Sequence, residues 1–396
     1  MKKCLFISVI ILLFGCNRAD NQLFQNVENK IIFDYRNSIN KFDIGMLTDS
    51  IAQIIPLETT DSSLIANIDK IEIKNNTIFI KDDLSKSVLM FSKDGKFINK
   101  IQAIGQGPGE YVSLSNMTVT DSTLILIDHL VGKQIDYRLS DLRFLKEERI
   151  FEKIWAMEIF TLNNSVFYYN GWSNSKLGKF RLFSRKLNEM NFEKHLPFRN
   201  EPFSLDISGS KYAVNGSEAA IIFSGDNVIY RINSHGDVFP GYEIIFKNNS
   251  VVYSSGKIEN VFRDNPPGRI LNINSINESE KFLFIDISVT IDNEKPIQPG
   301  NYDKYTCIYD KLSHETIIYP HFAYNSKFDN QSIVIRKIID NKLITWMDAH
   351  ILKVLNDESY SPKRTFTNKL FKKQLQEVLT HLKEDDNPIL FIYNLK

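Results

Sequence analysis

The chain has 396 residues, 24% of them charged, with 48 Lys and Arg against 48 Asp and Glu. That length fits one large repeat domain or two ordinary ones, and zero formal charge argues against a nucleic-acid binder, which normally carries a basic stripe. The 28 Phe and 16 Tyr suit pleated strands, and frequent Asn beside Gly, Asp or Ser suits tight turns, so the composition leans to an all-β protein.

The N-terminus reads MKKCLFISVIILLFGCNRAD. Lys2 and Lys3 form a positive n-region, and Cys4 to Phe14 is an apolar run too short for a comfortable membrane span. Gly15 precedes Cys16, and the whole resembles a bacterial lipoprotein signal. The resemblance implies that residues 1–15 are removed and that Cys16 carries the lipid. Residues 16–41 then read as lipidated Cys and polar tether, with residues 42–396 as the folded domain. The membrane is the implied partner through the acyl chains, and the location is the cell envelope at the outer membrane, its side left open. Loss of the signal removes Cys4 and lipidation consumes Cys16, leaving Cys307 as the free thiol. No intramolecular disulfide and no Cys-based zinc site follow. Cys307 lies in the alternating run YTCIYD and reads as a buried small hydrophobe.

From Ile71 onward one pattern recurs: an apolar strand, a short polar turn, a second apolar strand. It appears as IEIKNNTIFIKD, MTVTDSTLILID, MEIFTLNNSVFYYN, YAVNGSEAAIIFSGD, INSINESEKFLFIDIS and VIRKIIDNKLITWMD. The turns fall near residues 75, 121, 163, 216, 278 and 340, a spacing of about 42 to 62 residues that matches four-stranded propeller blades. A second hairpin follows several of them, with Asp94-Gly95 and His235-Gly236-Asp237 at its turn. The reading is an all-β, six-bladed β-propeller of four-stranded blades. Blade four has the least certain strands, and Asn248 to Arg269 reads as a loop insertion. Ser50 to Glu58 and Asn387 to Leu395 are assigned to one closing blade. One C-terminal amphipathic helix is expected over about Thr367 to Lys383, because Phe371, Leu375, Val378, Leu379 and Leu382 form one apolar stripe that packs on the propeller.

The glycine cluster IGQGPGEY, at Ile104 to Tyr111, lacks the Lys-Ser/Thr and the helix of a phosphate loop, and the helix of a dinucleotide fingerprint. Gly105, Gly107, Pro108 and Gly109 read instead as a structural turn that crosses from one blade to the next. The segment FSKDGKFINKIQAIGQGPGEY resembles the blade-crossing segment of NHL-type repeats. More closely, with IIPLETTDSSLIANIDKIEI and DDNPILFIYNLK at the two ends, it resembles the six-bladed β-propeller lipoproteins of Bacteroides-type bacteria. The resemblance implies the fold and not a chemistry.

In such a ring the blade-crossing loops share a face with the turns joining second and third strands. That face is expected to gather Asp82, Glu110, Tyr111, Asp128, His129, Trp172, Asp348 and His350 around the channel mouth, residue types that line binding pockets. No HExxH, EF-hand or GxSxG pattern occurs, so catalytic residues stay unassigned. The first reading is therefore a binding module for a glycan, peptide or envelope protein, with no cofactor. The alternative is a lactonase- or lyase-like propeller enzyme holding calcium or zinc through Asp82, Asp128, His129 and Asp348. A purely structural subunit of an envelope complex is the third.

Overall fold

The computed structural model describes residues 27–154, 156–171, 179–198, 209–223, 226–247, 270–290, 302–321, 323–325, 331–356 and 369–396. Six four-stranded sheets form a ring. Blade 1 spans Lys70 to Ile101, blade 2 Asn116 to Glu148, blade 3 Glu158 to Pro197, blade 4 Tyr212 to Phe246 and blade 5 Ile270 to Pro320. Blade 6 takes Lys337–Ile339, Lys342–Met347 and Ile389–Leu395 from the C-terminal part, and its outer strand is Thr48–Pro56. Both chain ends thus meet in one blade, as the sequence predicts, and Gln53 to Pro56 pair with Ile392 back to Ile389.

The turns explain the legibility of the repeat. Asn75 and Asn76 have φ of 50° and 59°, and Asp340 and Asn341 have 47° and 59°. Two successive positive values make the tight hairpin whose twist matches flanking strands, and Asn and Asp tolerate them. Gly95, at φ +82°, lies against the closing strand: a Cβ there would come within 2.2 Å of the Pro56 carbonyl oxygen.

Alternate side chains of each strand face opposite neighbours, so both faces of a blade are buried. In the last strand, Ile389, Phe391 and Tyr393 pack with blade 5 residues Phe282, Phe284 and Tyr319. Leu390 and Ile392 pack with Ile71, Ile78, Ile80 and Leu89 of blade 1. Ion pairs bridge further interfaces: Arg185 with Glu148 at 2.5 Å between blades 3 and 2, and Arg181 with Asp226 at 2.7 Å between blades 3 and 4. Arg231 with Glu278 at 2.6 Å joins blades 4 and 5.

Two features depart from the sequence reading. The tether assigned to residues 16–41 is structured in its second half. Asn29–Phe33 adds a fifth, parallel strand to the edge of blade 4, and Ile31 and Phe33 are fully buried. A parallel edge strand of five residues with two buried side chains carries too little periodicity to stand out in a polar segment. Cys16 and the signal lie outside the described residues. Helix content also exceeds the single helix expected. The expected one is found at Lys369–His381 (α2), packed through Phe371 and Leu375 on the closing blade. A second, Ala349–Asn356 (α1), precedes it, so residues read as a turn at Asp348 to His350 instead open a helix. Blade 4 has its strands where the weak repeat put them, and its outer turn holds Gly236 at φ +92°. Residues 248–269 lie outside the described residues. Cys307 is fully buried in the core between blades 4 and 5, and burial pushes its thiol up to about 12.

Candidate functional site

Asp82 and Asp128 end the second strands of blades 1 and 2, on the expected face. Both are fully buried. The Asp128 carboxylate accepts the backbone N–H groups of Val112 (2.7 Å), Ser113 (3.3 Å), Leu130 (2.9 Å) and Val131 (3.2 Å). Asp82 accepts those of Ala66 (2.7 Å), Leu84 (3.0 Å) and Ser85 (3.1 Å). In both blades the first amide lies 16 residues before the carboxylate. One oxygen closes the turn and the other pins the incoming crossing loop. These carboxylates are part of the repeat and leave little capacity for a ligand.

The glycine loop is held in the same way. Glu110 accepts from the Gly107 N–H at 2.8 Å, and a Cβ at Gly105 would fall 2.0 Å from its carboxylate oxygen. Gly109 has φ +76° and donates its N–H to Glu147 at 3.0 Å, and Lys133 meets the same carboxylate at 2.9 Å. The loop follows Pro108 into this turn. Tyr111 is buried and its hydroxyl donates to the Lys86 carbonyl at 2.8 Å, so it is a packing residue rather than a pocket wall. His129 is half-buried, with Nε2 on the Ala156 carbonyl and its ring 5.3 Å from Phe151. Asp348 and His350 are exposed at the start of α1. Trp172 lies outside the described residues. Among the described residues of this set, Asp82, Glu110, Tyr111, Asp128 and His129 are thus engaged by turns, crossing loops and a neighbouring blade, and Asp348 and His350 stand apart. Among the described residues, no group of three or more His, Cys, Asp or Glu could hold a metal ion. The calcium or zinc reading has no ligand set there.

Burial pushes the His129 and His195 imidazoles below their ordinary range, against the upward pull of nearby carboxylates and of the Ala156 carbonyl. The unfolded chain, with ordinary histidines near about 6.5, then binds protons before the native state does. Stability is full above that pH and is lost as pH falls towards the folded values. Melting temperature is expected to drop between about pH 7 and 5, and His195→Asn is expected to flatten that slope. An unchanged slope would remove His195 from the account.

The residues that do converge come from the inner strands. Lys70, Asn116, Glu158, Tyr212 and Lys337 are the first residues of the inner strands of blades 1, 2, 3, 4 and 6. They ring the channel end where the crossing loops deliver the chain. Tyr212 reaches residues of three other blades. Its ring stacks on Phe160 at 4.3 Å, with Lys70 Nζ 5.4 Å and Lys337 Nζ 4.8 Å from its centroid. Both ammonium groups are within cation–π range of the ring.

Lys70 is fully engaged: it donates to Asn116 Oδ1 (2.9 Å) and to the carbonyls of Met117 (2.5 Å) and Ile159 (3.1 Å), and pairs with Glu72 at 3.2 Å. Glu72 in turn accepts the Val119 N–H at 2.9 Å, and Glu158 that of Lys211 at 3.3 Å. Side chains thus stitch the inner edges together, which would otherwise present unpaired backbone groups. Lys337 is different. It is half-buried, its ammonium is removed from bulk water and lies near the Lys70 charge, and these push its pKa down to about 8 despite Glu72 and Glu158. This ring is absent from the sequence-based candidate set; a charged residue opening an apolar strand, as in Lys70-Ile71-Glu72-Ile73, is the signal that points to it.

A ring of six four-stranded blades, closed by its own N-terminal strand, defines a six-bladed β-propeller. The chain belongs to the family described as Domain of unknown function (DUF4934), whose model matches residues 24–394. No curated protein matches. Among solved structures, the chain is similar to one titled "Putative exported protein" from Bacteroides fragilis. It has a TM-score of 0.65 and 21% identity over 93% of this chain and 99% of that one, a likeness of fold alone. Hydrazine synthase of Kuenenia stuttgartiensis also matches, at a TM-score of 0.38 and 12% identity over 69% of each chain.

Proposed function

We propose that this protein is a lipid-anchored envelope propeller that binds a peptide or protein partner on its crossing-loop face. One observation carries the reading. Leu84 and Leu130, each 74% exposed, top equivalent turns of the neighbouring blades 1 and 2. Each sits two residues after the turn-capping Asp, and Leu64 and Ile104, each 52% exposed, lie in crossing loops of the same face. Large aliphatic side chains grouped on one face are a feature of interaction surfaces. The aliphatic character favours a peptide or protein over a glycan, whose C–H faces stack best on flat aromatic rings. The exported name of the Bacteroides fragilis neighbour and the lipoprotein-like N-terminus support an envelope location at the outer membrane.

A photo-crosslinking residue placed at Leu84 or Leu130 in intact cells is expected to trap a discrete partner. The same residue at Leu312, 77% exposed on the opposite face, is expected to trap none. Equal trapping at all three positions, or none at the first two, would refute the reading. In the same cells Cys16→Ala is expected to move the protein from the membrane to the soluble fraction; retention in the membrane would refute the lipid anchor.

A further inference from the structure

The side of the ring opposite the crossing loops supports an inference that rests on the lipid anchor at Cys16 proposed above. This side carries the turns that join first to second and third to fourth strands, and all of these turns lie among the described residues. The outer turn tips divide the ring in two. In blades 1 and 2 they read Lys93-Asp94-Gly95-Lys96 and Ser140-Asp141-Leu142-Arg143, and every exposed residue in them is polar. In blades 3 and 5 they expose Met190 (64%) and Leu312 (77%). At the same end of blade 6, Met46 (66% exposed) precedes Thr48, which pairs with Leu395. The rim residues Ile98, Leu145 and Phe239 are less exposed, and they occur in both halves of the ring. The cations near the apolar tips are paired within the protein: Lys186 with Glu189 at 3.3 Å, Lys281 with Asp310 at 3.6 Å and Lys311 with Glu278 at 2.9 Å.

The path of the N-terminal chain falls in the apolar half. Asn29–Phe33 runs parallel to Val238–Phe246, with Asn29 beside Tyr242 and Phe33 beside Phe246. Val238 follows the outer turn of blade 4, so the chain comes onto blade 4 from the turn side and runs towards the crossing loops. Asn29 Nδ2 also donates to the Gly241 carbonyl at 3.4 Å, one residue nearer that turn. From Cys16 to Val27 the chain spans at most about 40 Å, less than the width of a domain this long, roughly 50 Å. A lipid on Cys16 therefore holds the blade 4 rim near the bilayer, with the Met190 and Leu312 tips on the two blades beside it.

We propose that the turn side of blades 3 to 6 rests on the bilayer that holds the anchor, with Met190, Leu312 and Met46 entering its headgroup layer. The crossing-loop face of blades 1 and 2, with Leu84 and Leu130, then points away from the membrane, where a partner can reach it. Three apolar tips are too few to hold a bilayer by themselves. Tethering keeps them at a high effective concentration beside it, so a weak contact is made once the lipid is inserted. Because the neighbouring cations are already paired, the contact is apolar. It is expected to be the same on neutral and anionic bilayers and to persist at high salt.

The test uses the full lipidated chain in vesicles of phosphatidylcholine, with and without a spin-labelled phosphatidylcholine that quenches fluorescence. Met190→Cys, Leu312→Cys and, on the other face, Leu130→Cys each carry a thiol-linked fluorophore. Cys307 is fully buried and does not take the label. The spin-labelled lipid is expected to lower fluorescence at least about twofold at Met190 and Leu312 and to leave Leu130 unchanged. Iodide in the water is expected to show the reverse order. Equal lipid quenching at all three positions, or none at Met190 and Leu312 in vesicles that float together with the protein, overturns the proposal and leaves the anchor standing. Protection from iodide without lipid quenching means that a second copy of the chain covers the tips, and overturns it too. Protein left behind when the vesicles float refutes the anchor itself, and the proposal with it.

Discussion

Asp128→Ala is expected to destabilise the protein by about 3 kcal/mol, and to lower its melting temperature by several degrees. The carboxylate is fully buried and accepts four backbone N–H groups, two from its own turn and two from the loop arriving from blade 1. A hydrogen bond to a charged group contributes about 1.5 to 3 kcal/mol, and a buried donor left without a partner carries a desolvation penalty. The total stays well below four such terms, because the turn amides of Leu130 and Val131 lie at the surface and water can replace the lost acceptor. Asp128→Asn keeps one acceptor oxygen but turns an NH2 towards the other amides, so an intermediate loss is expected. Asp348→Ala, at an exposed position, is expected to change stability by less than about 0.5 kcal/mol. Urea unfolding of the three variants decides the matter. If Asp128→Ala and Asp348→Ala were indistinguishable, the turn-capping role would be wrong and a ligand-binding role for Asp128 would return.

This contrast shows which parts of the molecule are legible in the sequence. The blades are, because two independent signals coincide. Runs such as Thr123–Asp128 and Ile389–Leu395 are apolar at nearly every position, as a strand buried on both faces requires, and Asn or Asp pairs at the hairpins tolerate positive φ. The face of the candidate site is also legible, since strand order alone puts the ends of all second strands on one side. The role of each residue there is not. An Asp ending a strand looks the same whether its oxygens meet backbone amides or open solvent, and only the path of the crossing loop, 16 residues earlier, separates the two. The axial ring is harder still. Lys70, Asn116, Glu158, Tyr212 and Lys337 sit in five blades, and finding them requires every inner-strand boundary to the residue. The fifth strand of blade 4 is hidden for another reason. It pairs with its neighbour in parallel at an edge, without a hairpin turn to announce it.

That hidden strand and the closing strand make N-terminal truncation the second large effect. A chain beginning at residue 27 is expected to melt as the intact one does. A chain beginning at residue 42 loses Asn29–Phe33 and with it the buried side chains of Ile31 and Phe33, and it uncovers the apolar edge they pack against on blade 4. Fully burying such a side chain contributes about 1.5 to 3 kcal/mol, so about 3 to 6 kcal/mol of stability is expected to go, less whatever the denatured chain already buries. The ring itself should survive, because all six blades keep four strands. A chain beginning at residue 57 is expected to fail altogether. It lacks Thr48–Pro56, so the strand Ile389–Leu395 becomes an open edge, and Ile54 and Ile55 vanish from the cores on both sides of blade 6. The hydrogen bonds of Glu58 with Asn387 and with Gly95 then lose the strand that aligns them. An open, apolar edge strand is a template for association, so aggregation rather than a folded monomer is the expected form. Size-exclusion chromatography and thermal unfolding of the three chains test this order. A cooperative melt of the shortest chain close to that of the longest would mean that the ring closes without its N-terminal strand, and that the energy of closure lies in the blade interfaces alone.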